Sequence, residues 1–168
     1  MKPKVSVIMG STSDLEVMKK AADVLDEFDI PFEINALSAH RTPDEVAEFA
    51  KGAKDRGLKV IIAGAGMAAH LPGVIAAMTP LPVIGVPIRG SFDGMDALLA
   101  MVQMPPGIPV ATVAVNGAYN AGILAIQILS QSEPEIMDKF LKFKEDLKGK
   151  IVKANESLKD VKYKNRTN

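Results

Sequence analysis

The sequence predicts a three-layer α/β fold, in which helices cover both faces of a parallel, five-stranded sheet, with an appended C-terminal helix. Three observations support this fold class. Five short apolar runs alternate with segments of helical periodicity over the first 130 residues, which is typical of a doubly wound sheet. The runs are apolar at nearly every position, as strands buried on both faces require. Beyond residue 130 the period is helical and no further strand follows.

Each of the five predicted strands ends at a loop that contains glycine, proline or small polar residues. The strands cover residues 5–9, 32–37, 59–63, 83–86 and 110–115. Parallel strands need a crossover connection, and a helical segment is available between successive strands. We therefore expect one flavodoxin-like sheet of five parallel strands.

Capping signals mark the starts of the first two predicted helices. Ser13 and Glu16 have the spacing of a capping box, in which two side chains satisfy free backbone N–H groups. The same spacing recurs at Thr42 and Glu45, and Pro43 takes the first helical position, where its missing N–H is harmless. The first helix is expected to end before Pro31, and the others cover residues 43–56, a short segment ending at 78, 96–104 and 120–129.

The last part of the chain predicts one long amphipathic helix. Its apolar stripe recurs at four-, three-, four- and four-residue steps and consists of Ile136, Phe140, Phe143, Leu147 and Ile151. Such a face packs either within the same subunit or on another one. We therefore expect residues 1–130 to form a catalytic α/β domain and residues 131–168 to form a helical arm of the same domain, used in subunit packing. The last dozen residues are rich in lysine and asparagine and predict a solvated, frayed tail.

Composition excludes several classes of function. The chain has 168 residues, 20 Lys and Arg against 20 Asp and Glu, no cysteine and two histidines. A net charge of zero argues against a dedicated binder of nucleic acid or of an acidic membrane. Without cysteine, and without His-x-His or His-Glu-x-x-His spacing, no metal site is expected. No apolar run reaches the ~18 residues of a membrane span, and no signal-peptide core is visible, so we expect a cytoplasmic protein.

Polar loops at one edge of the sheet predict a ligand site. Ligands of open parallel sheets bind outside the carboxyl ends of the strands, near the point where strand order reverses. The loops after the first three predicted strands all lie at this edge, and they contain both histidines, His40 and His70.

The first two of these loops offer groups for an anion and for proton transfer. Ser11 and Ser13, at a helix start, suit a phosphate, and Asp14 suits ribose hydroxyls, although a capped helix start without a ligand has the same residues. His40 can exchange protons near neutral pH. Arg41 disfavours a second positive charge beside it and suits a phosphate or carboxylate. The alternative is a surface His-Arg pair next to a helix cap.

The third loop combines small residues with the second histidine. Gly64, Gly66 and Ala69 fit a loose dinucleotide fingerprint, but they follow the third strand, and no acidic residue ends the next strand. A backbone cradle for a flat ligand, with N–H groups facing a carboxylate or CO₂, fits these residues better. His70 is either a hydrogen-bonding residue at a helix start or a group near the substrate.

Several motifs, in order along the chain, resemble the class I N5-carboxyaminoimidazole ribonucleotide mutases of purine biosynthesis. The resemblance covers roughly residues 5–130. The motifs are Gly10-Ser11-x-Ser13-Asp14, Ser38-Ala39-His40-Arg41-Thr42-Pro43, Ala63-Gly64-Ala65-Gly66, Ala68-Ala69-His70-Leu71-Pro72-Gly73, Leu81-Pro82-Val83-x-Gly85-Val86-Pro87, Gln103-Met104-Pro105-x-Gly107 and Asn120-Ala121.

The resemblance implies an isomerase that converts N5-carboxyaminoimidazole ribonucleotide to 4-carboxy-5-aminoimidazole ribonucleotide without a cofactor or a metal. It further implies a homo-octamer with sites between subunits. By position, His40 is the general acid/base at C4 of the imidazole. The resemblance assigns substrate contacts to Ser11, Ser13, Asp14, Ser38 and Arg41, and a CO₂ pocket to the backbone of Gly64, Gly66, His70 and Leu71.

Two positions and one loop depart from the family pattern. Met67 stands where the family usually has glycine, and Ala97 stands where serine is common. The loop over residues 89–93 is shorter than usual and differently composed. These departures concern contacts at the mouth of the site more than the chemistry.

Three other functions stay open from sequence. Within the enzyme class, the alternative is direct carboxylation of aminoimidazole ribonucleotide by CO₂. A flavin- or nucleotide-binding module of flavodoxin-like architecture is a second, although few aromatic residues are available to stack on a flavin. The third is an oligomeric scaffold that acts through its C-terminal helix.

Overall fold

Five parallel strands form the central sheet of this computed structural model, which describes all 168 residues. The strands are β1 (Val5–Met9), β2 (Phe32–Ala36), β3 (Val60–Gly66), β4 (Val83–Ile88) and β5 (Ala111–Thr112). Their order is β2-β1-β3-β4-β5, and every neighbouring pair is parallel. This is the flavodoxin-like order, so the predicted fold class is confirmed.

Helices cover both faces of the sheet. They are α1 (Leu15–Glu27), α2 (Pro43–Gly52), α3 (Leu71–Met78), α4 (Met95–Val102) and α5 (Ala118–Ser130). A sixth helix, α6 (Pro134–Ser157), follows along the chain. Side chains of α2, α3 and α4, among them Phe49, Ile75 and Met101, share one buried cluster with the strands. On the other face α5 lies against α1, where a Cβ added at Gly122 would stand 2.3 Å from Val24 Cγ1. α1 and α2 lie on opposite faces of the sheet, so the strand order reverses between β1 and β3. This reversal is the topological switch point, where open parallel sheets bind ligands.

Strand β3 extends three residues beyond its predicted end at residue 63. It continues through Gly64, Ala65 and Gly66, which pair with Val86, Pro87 and Ile88 of β4. These residues are too small to show the β-branched pattern by which the sequence marks a strand, yet their size permits close packing. A Cβ added at Gly64 would lie 2.3 Å from Met18 Sδ.

Strand β5 is shorter than the predicted 110–115, and Pro87 explains why. Gly85 pairs with Thr112, and the Gly85 carbonyl accepts a hydrogen bond from Val113 N at 3.0 Å. The next donor that β4 would direct toward β5 is the N–H of residue 87, which proline lacks. The regular ladder therefore ends, although Asn116 N still donates to the Pro87 carbonyl at 2.8 Å.

Neither predicted capping box forms. Ser11, not Ser13, caps a short 3₁₀ turn over Thr12–Asp14 by accepting a hydrogen bond from Ser13 N at 3.3 Å. The Thr42 side chain makes no capping bond, because its hydroxyl is engaged with the backbone of Ser38. The Ser13 hydroxyl donates to Asp14 Oδ1 at 3.4 Å, so at both positions another local hydrogen bond occupies the side chain that was predicted to cap.

The helix boundaries differ from the predictions by a few residues. α2 ends at Gly52 and not near residue 56, with a turn up to Gly57, which has a φ of 100°. α5 begins at Ala118, two residues earlier than predicted, and α4 covers Met95–Val102.

The chain divides into two compact units, Met1–Leu129 and Ser130–Asn168. In the second unit, α6 is followed by a 3₁₀ turn over Leu158–Asp160. The Phe140 and Phe143 rings stack with centroids 6.3 Å apart, whereas Ile151, on the same stripe, is 71% exposed. The proposed roles of a catalytic domain and a packing arm stay predictions. None of the helices combines the length and apolar character that crossing a bilayer demands.

Substituting Gly64→Ala is expected to destabilise the protein by about 1–3 kcal/mol, the usual cost of overpacking a core. The added methyl group meets the fully buried Met18 side chain. Urea denaturation measures the change. Gly10→Ala is the control, because a Cβ there meets nothing within 4 Å. Equal stability of the two variants would contradict the packing role of Gly64.

Candidate active site

A cavity of about 780 Å³ lies at the carboxyl edge of the sheet. All five strands lead into it, because parallel strands deliver their following loops to the same edge. Its size is in the range of sites for small molecules. The polar and charged side chains that line it are Ser11, Ser13, Asp14, Ser38, His40, Arg41, Arg89 and Asn116.

The structure brings most of the predicted site residues together. Of the ten, eight line the cavity: Ser11, Ser13, Asp14, Ser38, His40, Arg41, Gly66 and Leu71. Gly64 and His70 do not line it. Three loops that are far apart in sequence therefore converge on one site, while the chemical role of each residue stays a prediction.

The loop between β2 and α2 is held by its own hydrogen bonds. Thr42 N donates to the Ser38 carbonyl at 2.8 Å, and the Thr42 hydroxyl accepts from Ser38 N at 2.9 Å. Arg41 N donates to Ser38 Oγ at 3.3 Å. This tight turn presents two consecutive side chains, His40 and Arg41, to the cavity.

Arg41 joins the loops after β1 and β2. Its Nη2 donates to the Gly10 carbonyl at 3.0 Å. A guanidinium has five N–H donors, so this contact fixes the group while leaving donors for a ligand. A planar, permanently charged guanidinium group at this position suits a phosphate or a carboxylate.

The two histidines are in direct contact. His40 Nε2 lies 2.8 Å from His70 Nδ1, and the rings meet edge to face at 82° with centroids 4.9 Å apart. One nitrogen of this pair donates and the other accepts, so at least one of the two nitrogens carries no proton. His70, at the start of α3, thus holds the His40 ring from the side.

Burial changes the acidity of Asp14. Loss of solvent raises the pKa of this carboxyl above its ordinary value of 3.8, and this outweighs the lowering effects of the Ser13 hydrogen bond and of Arg41. The carboxyl also stands at the N-terminus of α1, where negative charge is favoured. A carboxylate held at this desolvated position gains from partners that a ligand brings.

Gly64 and Gly66 serve close packing of the backbone. Gly64 is buried against Met18, and a Cβ at Gly66 would approach the Ile88 carbonyl oxygen to 3.2 Å. Only Gly66 reaches the cavity, beside Ala65 and Leu71. The wall at the end of β3 is therefore small and apolar.

Met67 stands in a strained conformation at the mouth of the cavity. Its φ is 55°, in the left-handed region that favours glycine, and its side chain is 62% exposed. The glycine that the resemblance leads us to expect here would adopt this conformation without strain. Ala97, the second departure, is fully buried in the core and does not line the cavity.

The sequence prediction missed Arg89 and Asn116 as lining residues. Arg89 N donates to Asn116 Oδ1 at 2.9 Å, which ties the loop after β4 to the end of β5. Asn116 has a φ of 58°, which asparagine tolerates better than most residues. The available signal was that Arg89 lies in the loop after the fourth predicted strand and that Asn116 directly follows the fifth. No group of three or more His, Asp or Glu side chains is placed to hold a metal ion.

Comparisons with known proteins agree on one family. The profile described as AIR carboxylase matches residues 4–150. An N5-carboxyaminoimidazole ribonucleotide mutase of Thermotoga maritima is 55% identical over 163 residues, which cover 96% of this chain and 95% of that protein. A phosphoribosylaminoimidazole carboxylase of Schizosaccharomyces pombe is 54% identical over 164 residues, 97% of this chain but 30% of that protein. The crystal structure of Treponema denticola PurE superposes with a TM-score of 0.85 at 32% identity, covering 94% of this chain and 99% of that one.

Replacing Asp14 with asparagine is expected to stabilise the folded protein at neutral pH and to have no effect in strong acid. A carboxyl whose pKa is raised by folding binds its proton more readily in the folded state, so stability falls as pH rises from the unfolded pKa through the folded one. Thermal unfolding from pH 3 to 8 measures the difference. Asp23→Asn, on the same helix, controls for loss of one charge. A neutral-pH stability below that of the unmodified protein would contradict the desolvation argument.

Met67→Gly is expected to stabilise the protein by up to about 1 kcal/mol. A left-handed conformation costs a residue with a Cβ roughly 1–2 kcal/mol, which the greater freedom of glycine in the unfolded chain partly offsets. Met67→Ala removes the same side chain and keeps the strain, so it is the matched control. If the alanine variant were as stable as the glycine variant, backbone strain at this position would be excluded. Chemical denaturation resolves the two.

Proposed function

The chain belongs to the AIR carboxylase family, and from this premise we propose that it moves a carboxylate from N5 to C4 of aminoimidazole ribonucleotide in purine biosynthesis. The substrate would be N5-carboxyaminoimidazole ribonucleotide and the product 4-carboxy-5-aminoimidazole ribonucleotide. Relatives named as mutases align over nearly their whole length with this chain, which supports this direction of chemistry. The observation that carries the proposal is His40, the one imidazole that lines the cavity.

The loops after β1 and β2 would hold the ribonucleotide. Ser11, Ser13 and Arg41 offer hydroxyl and guanidinium donors to the phosphate, and Ser38 lies beside them at the cavity wall. Asp14 would accept hydrogen bonds from the ribose hydroxyls. These bonds favour its charged form, which burial disfavours when no partner is present.

The first chemical step would be loss of CO₂ from N5. A carbamate is unstable once it is desolvated and protonated. The N5–C bond breaks, the electron pair stays on N5, and N5 carries a proton in place of the carboxylate. The small apolar wall at Ala65, Gly66 and Leu71 supports confinement of CO₂ next to the ring.

The second step would form the new bond. The electron-rich C4 attacks the confined CO₂, which leaves a tetrahedral carbon that carries both hydrogen and carboxylate. His40 removes the proton from C4 and aromaticity returns. One proton is gained at N5 and one is lost at C4, so the reaction is a net isomerisation. Confinement of two reactants in one cavity supplies an entropic advantage.

Assembly and location follow the family resemblance. We include in the proposal a homo-octamer in which residues 131–168 take part in subunit packing. The exposed apolar side chains of α6, Leu147 and Ile151, support a role in contacts. A cytoplasmic location is part of the same proposal.

Two assays separate this function from direct carboxylation. Incubation with 4-carboxy-5-aminoimidazole ribonucleotide, with and without a chelator, is followed by ultraviolet absorbance, and migration that survives chelation supports a metal-free mutase. In parallel, ¹³C-labelled bicarbonate is supplied with the uncarboxylated nucleotide. Rapid incorporation of label, without migration in the first assay, would favour the carboxylase.

His40→Asn is expected to lower the migration rate by about 10²–10⁴, the usual contribution of general acid–base catalysis, while nucleotide binding is kept. Steady-state rates and calorimetric binding measure the two effects. His70→Asn is the comparison, because it removes one hydrogen bond to His40 and leaves the imidazole in the cavity. His70→Asn should lower the migration rate by less than about tenfold. A His40 variant that retains more than about a tenth of the rate would refute the assigned role.

A further inference from the structure

Arg89 is a cation on the cavity wall to which the family resemblance assigns no role. It is the first residue after β4, and its side chain is 64% exposed. Because Ile88 pairs with Gly66, Arg89 leaves the sheet directly beside the end of β3. The following residue, Gly90, also faces that segment, since a Cβ there would lie 3.5 Å from Met67 Cγ.

A hydrogen bond fixes the backbone of Arg89, whereas its exposed guanidinium has only one weak ionic contact. Asn116 Oδ1 accepts the Arg89 N–H at 2.9 Å, and Asn116 N is itself bound to the Pro87 carbonyl. The nearest acidic partner of the side chain is Asp93, at 4.0 Å from Arg89 Nε. Both groups are largely exposed, so this pair contributes little and does not prevent a ligand from recruiting the guanidinium.

The two arginines of the cavity lie in different loops, Arg41 after β2 and Arg89 after β4. Arg41 is bound to Gly10, on the β1 and β2 side, whereas Arg89 stands on the β4 side, next to the small apolar wall. The substrate of the proposed reaction has two anionic groups, with the phosphate at one end of the ribonucleotide and the carboxylate on the ring at the other. If Arg41 binds the phosphate, the carboxylate lies toward the end of β3, within the range of the loop after β4.

We propose that Arg89 binds the carboxylate that migrates, and that it selects carboxylated over uncarboxylated nucleotides. This inference rests on the proposed function and assigns the recognition of the carboxylate to a side chain. A guanidinium binds a carboxylate through two parallel hydrogen bonds, which fixes the plane of the group as well as its position. The contact orients the carboxylate over the ring. Arg89 can still make this contact when the carboxylate is attached to C4.

The test compares two ligands that differ only in the carboxylate. Affinities for 4-carboxy-5-aminoimidazole ribonucleotide and 5-aminoimidazole ribonucleotide are measured by calorimetry in the His40→Asn background, which suppresses turnover. Arg89→Gln is expected to weaken binding of the carboxylated nucleotide by about tenfold or more, since a charge-assisted hydrogen bond is lost, and to change binding of the other less than about twofold. Arg41→Gln is the matched control, and it should weaken both ligands alike.

The possible outcomes are distinct. An equal loss for both ligands in Arg89→Gln, or no loss for either, would overturn the inference. Arg89→Lys keeps the charge without the planar fork and should give an intermediate loss for the carboxylated ligand alone. Circular dichroism verifies that the exposed substitution leaves the fold intact. Absence of migration in the unmodified protein would count against the proposed function, whereas intact migration with an unchanged ligand preference in Arg89→Gln would count against this inference alone.

Discussion

Parallel pairing of β1 with both β2 and β3 is the constraint on which the site depends. Met9, at the end of β1, pairs with Ala36 on one side and with Gly64 on the other. The residues that follow these positions therefore start at one level of the sheet. A register shift of one residue would reverse the faces of the side chains and separate the loops. His40, Arg41 and the β1 loop meet because the three strands are held in this register.

Small residues allow the strands and helices to pack closely beneath the site. The loops above these strands contain residues with strained backbone conformations. Because Gly64 has no Cβ, Met18 packs directly against the sheet, and Ile88 packs in the same way against Gly66. In the loops after β3, β4 and β5, by contrast, several residues with a Cβ adopt left-handed conformations, namely Met67, Phe92, Asp93 and Asn116. Such conformations cost about 1–3 kcal/mol each and persist where the surrounding structure enforces them. The tightly packed strands thus support loops whose conformations are less favourable than those of the core.

The charged groups of the cavity are arranged for an anionic ligand. Two arginines, in the loops after β2 and β4, line the same cavity as Asp14, a carboxyl whose pKa is raised by burial. A ligand with phosphate, hydroxyl and carboxylate groups complements these charges better than water does. Under the proposed function, Asp14 binds the ribose hydroxyls, and the burial that raises its pKa lowers stability at neutral pH in exchange for that contact.

The fold class, the family and the edge of the sheet that carries the cavity could all be predicted from the sequence. Apolar runs report burial on both faces of a strand, and the order of motifs such as 38–43 and 68–73 predicts a family resemblance that the relatives confirm. These properties are local, so the chain alone carries them. Four features could not be predicted from the sequence: the contact of His40 with His70, the packing of Gly64 on Met18, the early end of β5 at Pro87 and the position of Arg89 and Asn116 at the cavity. Each of these depends on which residue of one element lies opposite which residue of another, and periodicity within a single element does not encode that pairing.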